Sequence, residues 1–176
     1  FQDASSFNSN IGNWNTISCE NMSYMFFSSK LFNQDISAWD TRNVRDMFAM
    51  FQDASSFNNL GQDLSWNVSK VTNMQSMFQD ATSFNSNIGN WDVSNVEFMN
   101  SMFQNAKSFN QDLSAWDISN AANLGNILNI FSGARALASQ EYDSSCFNIL
   151  KGWINKGYIS DNIERWNDMW DNDDNV

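Results

Sequence analysis

The 176-residue chain sets 9 Lys plus Arg against 20 Asp plus Glu, a formal net charge of −11, and contains neither His nor Pro. That balance argues against nucleic acid and anionic membrane as partners, and the missing imidazole removes histidine catalysis, zinc–histidine sites and a histidine pH switch. Aromatic residues reach 15%, with 8 Trp and 15 Phe, which is too many for an acidic disordered chain; 28 Asn and 25 Ser supply a polar but uncharged remainder.

The length suits one ordinary domain, and no apolar run approaches the 18 or so residues of a membrane span. The sequence opens on Phe1, without a basic and apolar leader and already inside a repeating pattern. The expectation is that a leader or upstream units lie outside this sequence, so secretion remains open. Trp14, Trp39, Trp66, Trp91 and Trp116 follow at intervals of 25, 27, 25 and 25 residues. Phe7, Phe32, Phe57, Phe84 and Phe109 precede them, and each is followed by Asn: Asn8, Asn33, Asn58, Asn85 and Asn110. Met pairs follow the first four Trp (Met22/Met25, Met47/Met50, Met74/Met77, Met99/Met102), and Leu124 and Ile127 take their places in the fifth unit.

Each unit reads as two halves. The half before Trp is short and extended, as in NQDISAW at 33–39 and NQDLSAW at 110–116, with one apolar residue, Ile36 or Leu113. It predicts a short strand that buries a face only by stacking on copies of itself. The half after Trp carries apolar residues at steps of three and four. Val71, Met74, Met77, Phe78 and Ala81 predict a helical segment, as do Val96, Met99, Met102, Phe103 and Ala106, with Ser94 or Asn95 as N-cap. The Met stripe is expected to fill core and the Trp row a mostly buried corner. Asn after Phe, able to donate and to accept, is expected to form a ladder from unit to unit.

The third unit, FNNLGQDLSW at 57–66, is longer than its neighbours and is expected to bulge at Asn59–Gly61. A sixth unit begins at Phe131, Ala134 and Leu137 and then stops matching. Beyond it Cys146, Ile149, Leu150, Trp153 and Ile154 predict an amphipathic helix with Gly157 as C-cap. Asp161 with Glu164 predicts a second helix carrying Ile163, Trp166 and Trp170. The acidic run from Asp171 to Asn175 reads as a solvated tail. The period fits the leucine-rich range. The expected fold class is therefore α/β: a leucine-rich-repeat-like solenoid of about five 25-residue coils with short parallel strands, short helical segments and a helical C-terminal cap. The expected division is a repeat solenoid over 1–137 and a cap with acidic tail over 138–176.

The units at 32–54 (FNQDISAWDTRNVRDMFAMFQDA), 84–106 (FNSNIGNWDVSNVEFMNSMFQNA) and 109–124 (FNQDLSAWDISNAANL) resemble the BspA-like leucine-rich repeat surface protein family. The resemblance covers 1–137. It implies a surface-exposed or secreted, often adhesive protein with a noncatalytic binding or scaffold role, and it carries over no ligand.

Chemistry-bearing motifs are few. There is no G-x-G-x-x-G, P-loop, nucleophile elbow or C-x-x-C, so catalytic residues, metal ligands and cofactors are all expected to be none. Cys19 takes a Val position and Cys146 sits on the cap, four coils away. At about 4.8 Å per coil that is near 20 Å, against the ~7 Å limit of a disulfide, so both are expected as free thiols. Asn21-Met-Ser and Asn67-Val-Ser match the glycosylation pattern at a rate chance would give.

The candidate binding residues are the outward positions beside the inward Ile and Leu: Asn10, Asp35, Asp63, Asn87 and Asp112 on one side, and Ser37, Ser65, Gly89 and Ser114 on the other. They predict a flat, polar, mildly acidic strand face. Asn59 and Gly61 at the bulge are a competing contact. The expected function is a noncatalytic protein–protein or adhesive interaction module presenting this face, extracellular or at the cell surface, with protein as partner, glycan as a second partner class and no nucleic acid. The alternatives are a structural scaffold or linker subunit inside a larger assembly, and a glycan- or calcium-binding surface protein.

Overall fold

The computed structural model describes residues 1–121, 124–127, 129–134 and 145–158. The apolar spacing after each Trp would suit a helix, but the backbone forms none there. Two residues per unit, four apart, lie in the left-handed region: Tyr24 and Ser28, Ala49 and Asp53, Ser76 and Asp80, Ser101 and Asn105, Asn129 and Gly133, all with φ between 51° and 70°. A left-handed residue cannot continue a right-handed helix, so the segment becomes a run of β-turns.

Its amides divide into two alternating sets. Met25, Phe27 and Ser29 donate three residues back, to the carbonyls of Met22, Tyr24 and Phe26, at 3.0–3.2 Å. Met22, Tyr24, Phe26 and Ser28 donate instead to Asp46, Phe48, Met50 and Gln52 of the next unit, at 2.8–2.9 Å. Met47, Ala49, Phe51 and Asp53 repeat this toward Asn73, Gln75, Met77 and Gln79. Half of the amides thus close turns and half bind one layer of turns to the next.

The half before Trp forms no strand either. Its short polar side chains capture their own backbone: Asp35 Oδ1 accepts from the Ser37 amide at 2.9 Å and Asp112 Oδ1 from the Ser114 amide at 2.8 Å. Amides held in such Asx turns are withdrawn from a ladder. Among the described residues there is no β-strand, and pairing is limited to three isolated parallel bridges, Asn21–Asp46, Asp46–Asn73 and Asn73–Phe98. Among the described residues helix is confined to a 3₁₀ turn at Asn59–Gly61, α1 at Leu124–Ile127 and α2 at Ser145–Asn155. The expected α/β leucine-rich-repeat-like solenoid, with a strand and a helical segment in each coil, is therefore overturned. The sequence period is expressed through stacked turns.

The core is aromatic. Phe26, Phe51, Phe78, Phe103 and Phe131 form one column, with successive centroids 5.3–5.8 Å apart. Phe7, Phe32, Phe57, Phe84 and Phe109 form a second at 5.7–6.0 Å. Within a layer the two columns meet face to face, as for Phe51 and Phe57 at 3.9 Å and Phe78 and Phe84 at 3.7 Å. Trp39, Trp66, Trp91 and Trp116 stack as a third column at 6.2–6.4 Å. Each of these indoles also donates Nε1–H to a carbonyl one layer back: Trp39 to Ile11, Trp66 to Ile36, Trp91 to Leu64 and Trp116 to Ile88. Trp14 departs from the series, meeting Phe1 at 5.6 Å and remaining 48% exposed. The Met stripe lies in the core, with Met47, Met50, Met74, Met77, Met99 and Met102 fully buried.

Layers approach so closely at one corner that a side chain does not fit. A Cβ on Gly12 would lie 2.6 Å from the Asp35 carbonyl oxygen, and one on Gly89 2.8 Å from that of Asp112.

Helix α2 closes the far end. Trp153 stacks on Phe131 at 6.0 Å, and a Cβ on Gly152 would come within 3.1–3.2 Å of Ser114. Lys156 donates to the carbonyls of Ser114, Ala115 and Trp116 at 3.0–3.3 Å. Gly157, at φ 74°, ends the helix in a paired reversal: its amide bonds the Ile154 carbonyl at 2.8 Å while the Tyr158 amide bonds that of Trp153 at 2.9 Å. Two buried polar atoms at this end, Asn110 Oδ1 and Trp153 Nε1, have no hydrogen-bond partner. Leu137, the expected second helix around Ile163, Trp166 and Trp170, and the acidic tail lie outside the described residues, as do the side chains of Cys146 and Leu150.

Two substitutions test the core. Phe78→Ala removes a fully buried ring that four others touch and should cost ~3–5 kcal/mol in urea unfolding. Trp91→Phe keeps a ring in the column but strands the Leu64 carbonyl and should cost ~1–3 kcal/mol. Equal unfolding midpoints for Trp91→Phe and wild type would show that the indole bond contributes nothing.

Candidate functional site

The expected face is built from local turns. Asn10 and Asn87 place Oδ1 on the amides of Gly12 and Gly89 at 2.9 and 3.0 Å, just as Asp35 and Asp112 do on Ser37 and Ser114. The Ser37 hydroxyl also donates to Asp35 Oδ1, at 2.6 Å. These donors hold the Asp35 carboxyl below the ordinary carboxylate range, the hydroxyl contributing more than the amide. Asp63 stands apart, with Oδ2 3.5 Å from Asn87 Nδ2. Asp35, Asp63, Asp112 and Asn10 are exposed, while Asn87, Ser37 and Ser114 are half-buried. The row is therefore a line of turn corners on neighbouring layers. The polar acidic solenoid face on which the expected interaction module rested is not present, because among the described residues no strand exists to carry it, and the repeat solenoid assumed by the scaffold and glycan or calcium alternatives is overturned with it.

The bulge has a structural task. Asn59 is fully buried, and its Oδ1 accepts the Ile36 amide at 2.8 Å while Nδ2 donates to the carbonyls of Gln62 and Asp63 at 3.1 and 3.4 Å. An amide side chain thus fills the gap opened by the longer unit. Asn59 is not available to a partner. Gly61 is exposed at φ 78°, beside Leu60, which is 55% exposed and itself left-handed at φ 50°. Leu60, Asn10, Gly12, Gln34 and Asp35 line a shallow groove of 190 Å³, and Gly61, Asp63, Ser37 and Ser65 line another of 510 Å³. The structure thus gathers Asn10, Asp35, Asp63, Ser37 and Gly61 around the bulge and leaves Asp112 and Ser114 at the far end, under Lys156.

The Asn ladder is present. Oδ1 of Asn8, Asn33, Asn58 and Asn85 accepts the backbone amide of the next Asn, at Asn33, Asn58, Asn85 and Asn110, over 2.7–2.9 Å. It is an interlayer clamp.

The first layer, where the sequence opens inside its repeating pattern, is less covered than the later ones. Phe1, Trp14, Ile17 and Tyr24 are 38–48% exposed, whereas Phe26 and Trp39, one layer on, are at most 3% exposed. Phe7 and Met25 are partly buried beside them. Phe1 stacks on Phe26 and Phe7 on Phe32, at the head of the two Phe columns. Cys19 is a half-buried free thiol. No described helix is long and apolar enough to cross a membrane.

A family model described as Mycoplasma protein of unknown function, DUF285, matches residues 1–64 and 59–145, and the chain belongs to that family. No curated protein and no solved structure matches it. The resemblance to BspA-like leucine-rich repeat surface proteins is corrected accordingly: a different family matches, and the strands of a leucine-rich repeat are absent from the described residues.

Three carboxyls tie the site to pH. Asp35 is held down by Ser37, Asp40 by its bond to Arg42, and Asp117 by the Ser119 amide and hydroxyl and then by Tyr158. Each folded value lies below the unfolded one, near 3.9, so their contribution is present above about pH 4 and is lost as pH falls through the folded values. Urea midpoints measured from pH 7 to pH 3 should fall in that window, and less steeply for Asp117→Asn. A variant with an unchanged slope would detach Asp117 from the effect.

Proposed function

Because membership of a family of unknown function assigns no activity, we propose that this chain binds a protein, without chemistry of its own, at the bulge of its third unit. The observation that carries this is Leu60, held in the left-handed region at φ 50° and 55% exposed over the groove lined by Asn10, Gly12, Gln34 and Asp35. Packing does not explain a bulky residue kept in that conformation with its side chain in solvent, and such strain concentrates at ligand clamps. The acidic turn corners favour no catalytic role: the carboxylates of Asp35, Asp40, Asp92 and Asp117 each accept from an amide two residues on. A net charge of −11 sets nucleic acid aside as partner. An extracellular or cell-surface setting stays with the proposal only as the place where such a partner would be sought.

The test is capture from the native source with wild type, Leu60→Asp and, at the far end, Asp112→Lys, each checked for fold by circular dichroism. The expected result is a specific protein held by wild type and by the Lys variant and depleted at least about tenfold with Leu60→Asp, a loss ordinary for an interface anchor. Equal capture by the Leu60 variant, or capture of nothing, would sink the proposal.

A further inference from the structure

The third unit departs from its neighbours twice at one corner. It gains Asn59–Gly61, and it has one residue fewer before Trp: Leu64 precedes Trp66 by two places, where Ile11, Ile36, Ile88 and Leu113 precede their Trp by three. In those four layers the Trp amide closes a turn on the Ile or Leu carbonyl at 3.0–3.1 Å, and the Asn or Asp just before it takes the amide two residues on. The shorter third layer makes neither bond. Among the described residues the Asp63 carboxylate meets only Asn87 Nδ2, at 3.5 Å. Leu60 and Asp63 thus stand three places apart on the bulge, one an uncovered apolar side chain and the other an anion that holds no turn.

The surface around this pair is continuous along the stack. Ala38 joins the 190 Å³ groove beside Leu60 to the 510 Å³ groove beside Gly61, and Asp63 and Ser65 join the latter to a third, of 200 Å³, that runs over Trp66 and Trp91. From the second layer to the fourth the Trp rings beneath step by 6.4 and 6.2 Å, which gives room for about four residues of extended chain at ~3.3 Å each. The only charged side chains that line any of the three are Asp35 and Asp63; no Lys or Arg does. A second copy of this chain is opposed by the −11 on each side. A sugar finds too little ring to stack on, with Trp66 and Trp91 only 5% and 4% exposed. A cationic side chain on a neighbouring apolar one matches both features of the bulge, since charge complementarity fixes its place and the apolar group covers Leu60. Building on the reading that the bulge binds protein, we infer that the partner lays a short extended basic segment along this groove, with an Arg or Lys against Asp63 and an apolar neighbour over Leu60.

The direct test titrates the full chain with two capped peptides, Ala-Leu-Arg-Leu-Ala and the same peptide with Glu in place of Arg, while backbone amide shifts are followed by NMR. The Arg peptide should give saturable shifts centred on residues 60–65, and the Glu peptide none. Asp63→Lys should weaken the Arg peptide at least about tenfold, as for a charge reversed in a contact. Glu97→Lys, an equal change of net charge at an exposed site, should weaken it less than about twofold. Equal losses from the two variants would mean general attraction to an acidic surface and would overturn the inference, as would equal binding of both peptides or binding of neither. Capture from the native source separates this inference from the reading beneath it. A partner lost with Leu60→Asp but held by Asp63→Lys overturns the basic segment and leaves the protein-binding reading intact. A partner still held by Leu60→Asp removes that reading and this inference with it.

Discussion

The structure depends on an alternation in the backbone. Along each post-Trp segment one amide closes a turn and the next crosses to the neighbouring layer, and the left-handed pairs such as Tyr24 and Ser28 keep the two sets apart. A helix would have turned every amide inward and left nothing to join the layers; a strand would have turned them outward and left no turns to bury the rings. The left-handed residues cost on the order of 1–2 kcal/mol each where the residue is not Gly, Asn or Asp. Burial of a Phe side chain, at about 1.5–3 kcal/mol, exceeds that cost, and stacking adds roughly 0.5–1.5 kcal/mol per aromatic pair. The rings therefore decide the outcome, and the backbone accepts the strain that brings Phe78 under Phe103.

How far the sequence disclosed this differs from residue to residue. The period, the Phe and Trp columns, the buried Met positions and the Asn ladder all follow from spacing and side-chain chemistry, and they are legible without coordinates. The helix reading over Val96–Ala106 failed for a definite reason. Apolar steps of three and four serve a run of turns as well as a helix, because both return a side chain to the same face. The signal that separates them was weak. Asp53, Asp80, Asn105 and Gly133 are residues that tolerate left-handed φ, but their companions Ala49, Ser76 and Ser101 are not. The strand reading failed because the Asp-x-Ser and Asn-x-Gly triplets were read as outward decoration when they are turn makers.

The candidate residues were misjudged by the same route. Asn59 was read as a contact because the third unit is longer, yet its side chain substitutes for a missing stretch of backbone and is fully buried. The exposed rings of the first layer were legible as members of their columns. Periodicity by itself carries no direction along those columns. Hydrogen bonding supplies that direction: the bonds from Met22 to Asp46 and from Trp39 back to Ile11 make the two sides of a layer chemically different.

Twelve side chains in Asx turns, those at 10, 15, 21, 35, 40, 46, 67, 73, 87, 92, 112 and 117, each place Oδ1 on the amide two residues on, and six are Asn and six Asp. The turn asks for an acceptor oxygen and is indifferent to whether its companion atom is a nitrogen or a second oxygen. Surface charge is therefore a nearly free variable of this architecture. Exchanging Asn for Asp or the reverse at these twelve positions could move the net charge over a span of 12 units with the same backbone. The value of −11 need not have been fixed by folding, which leaves it open to selection by solubility and by the ionic surroundings in which the molecule works.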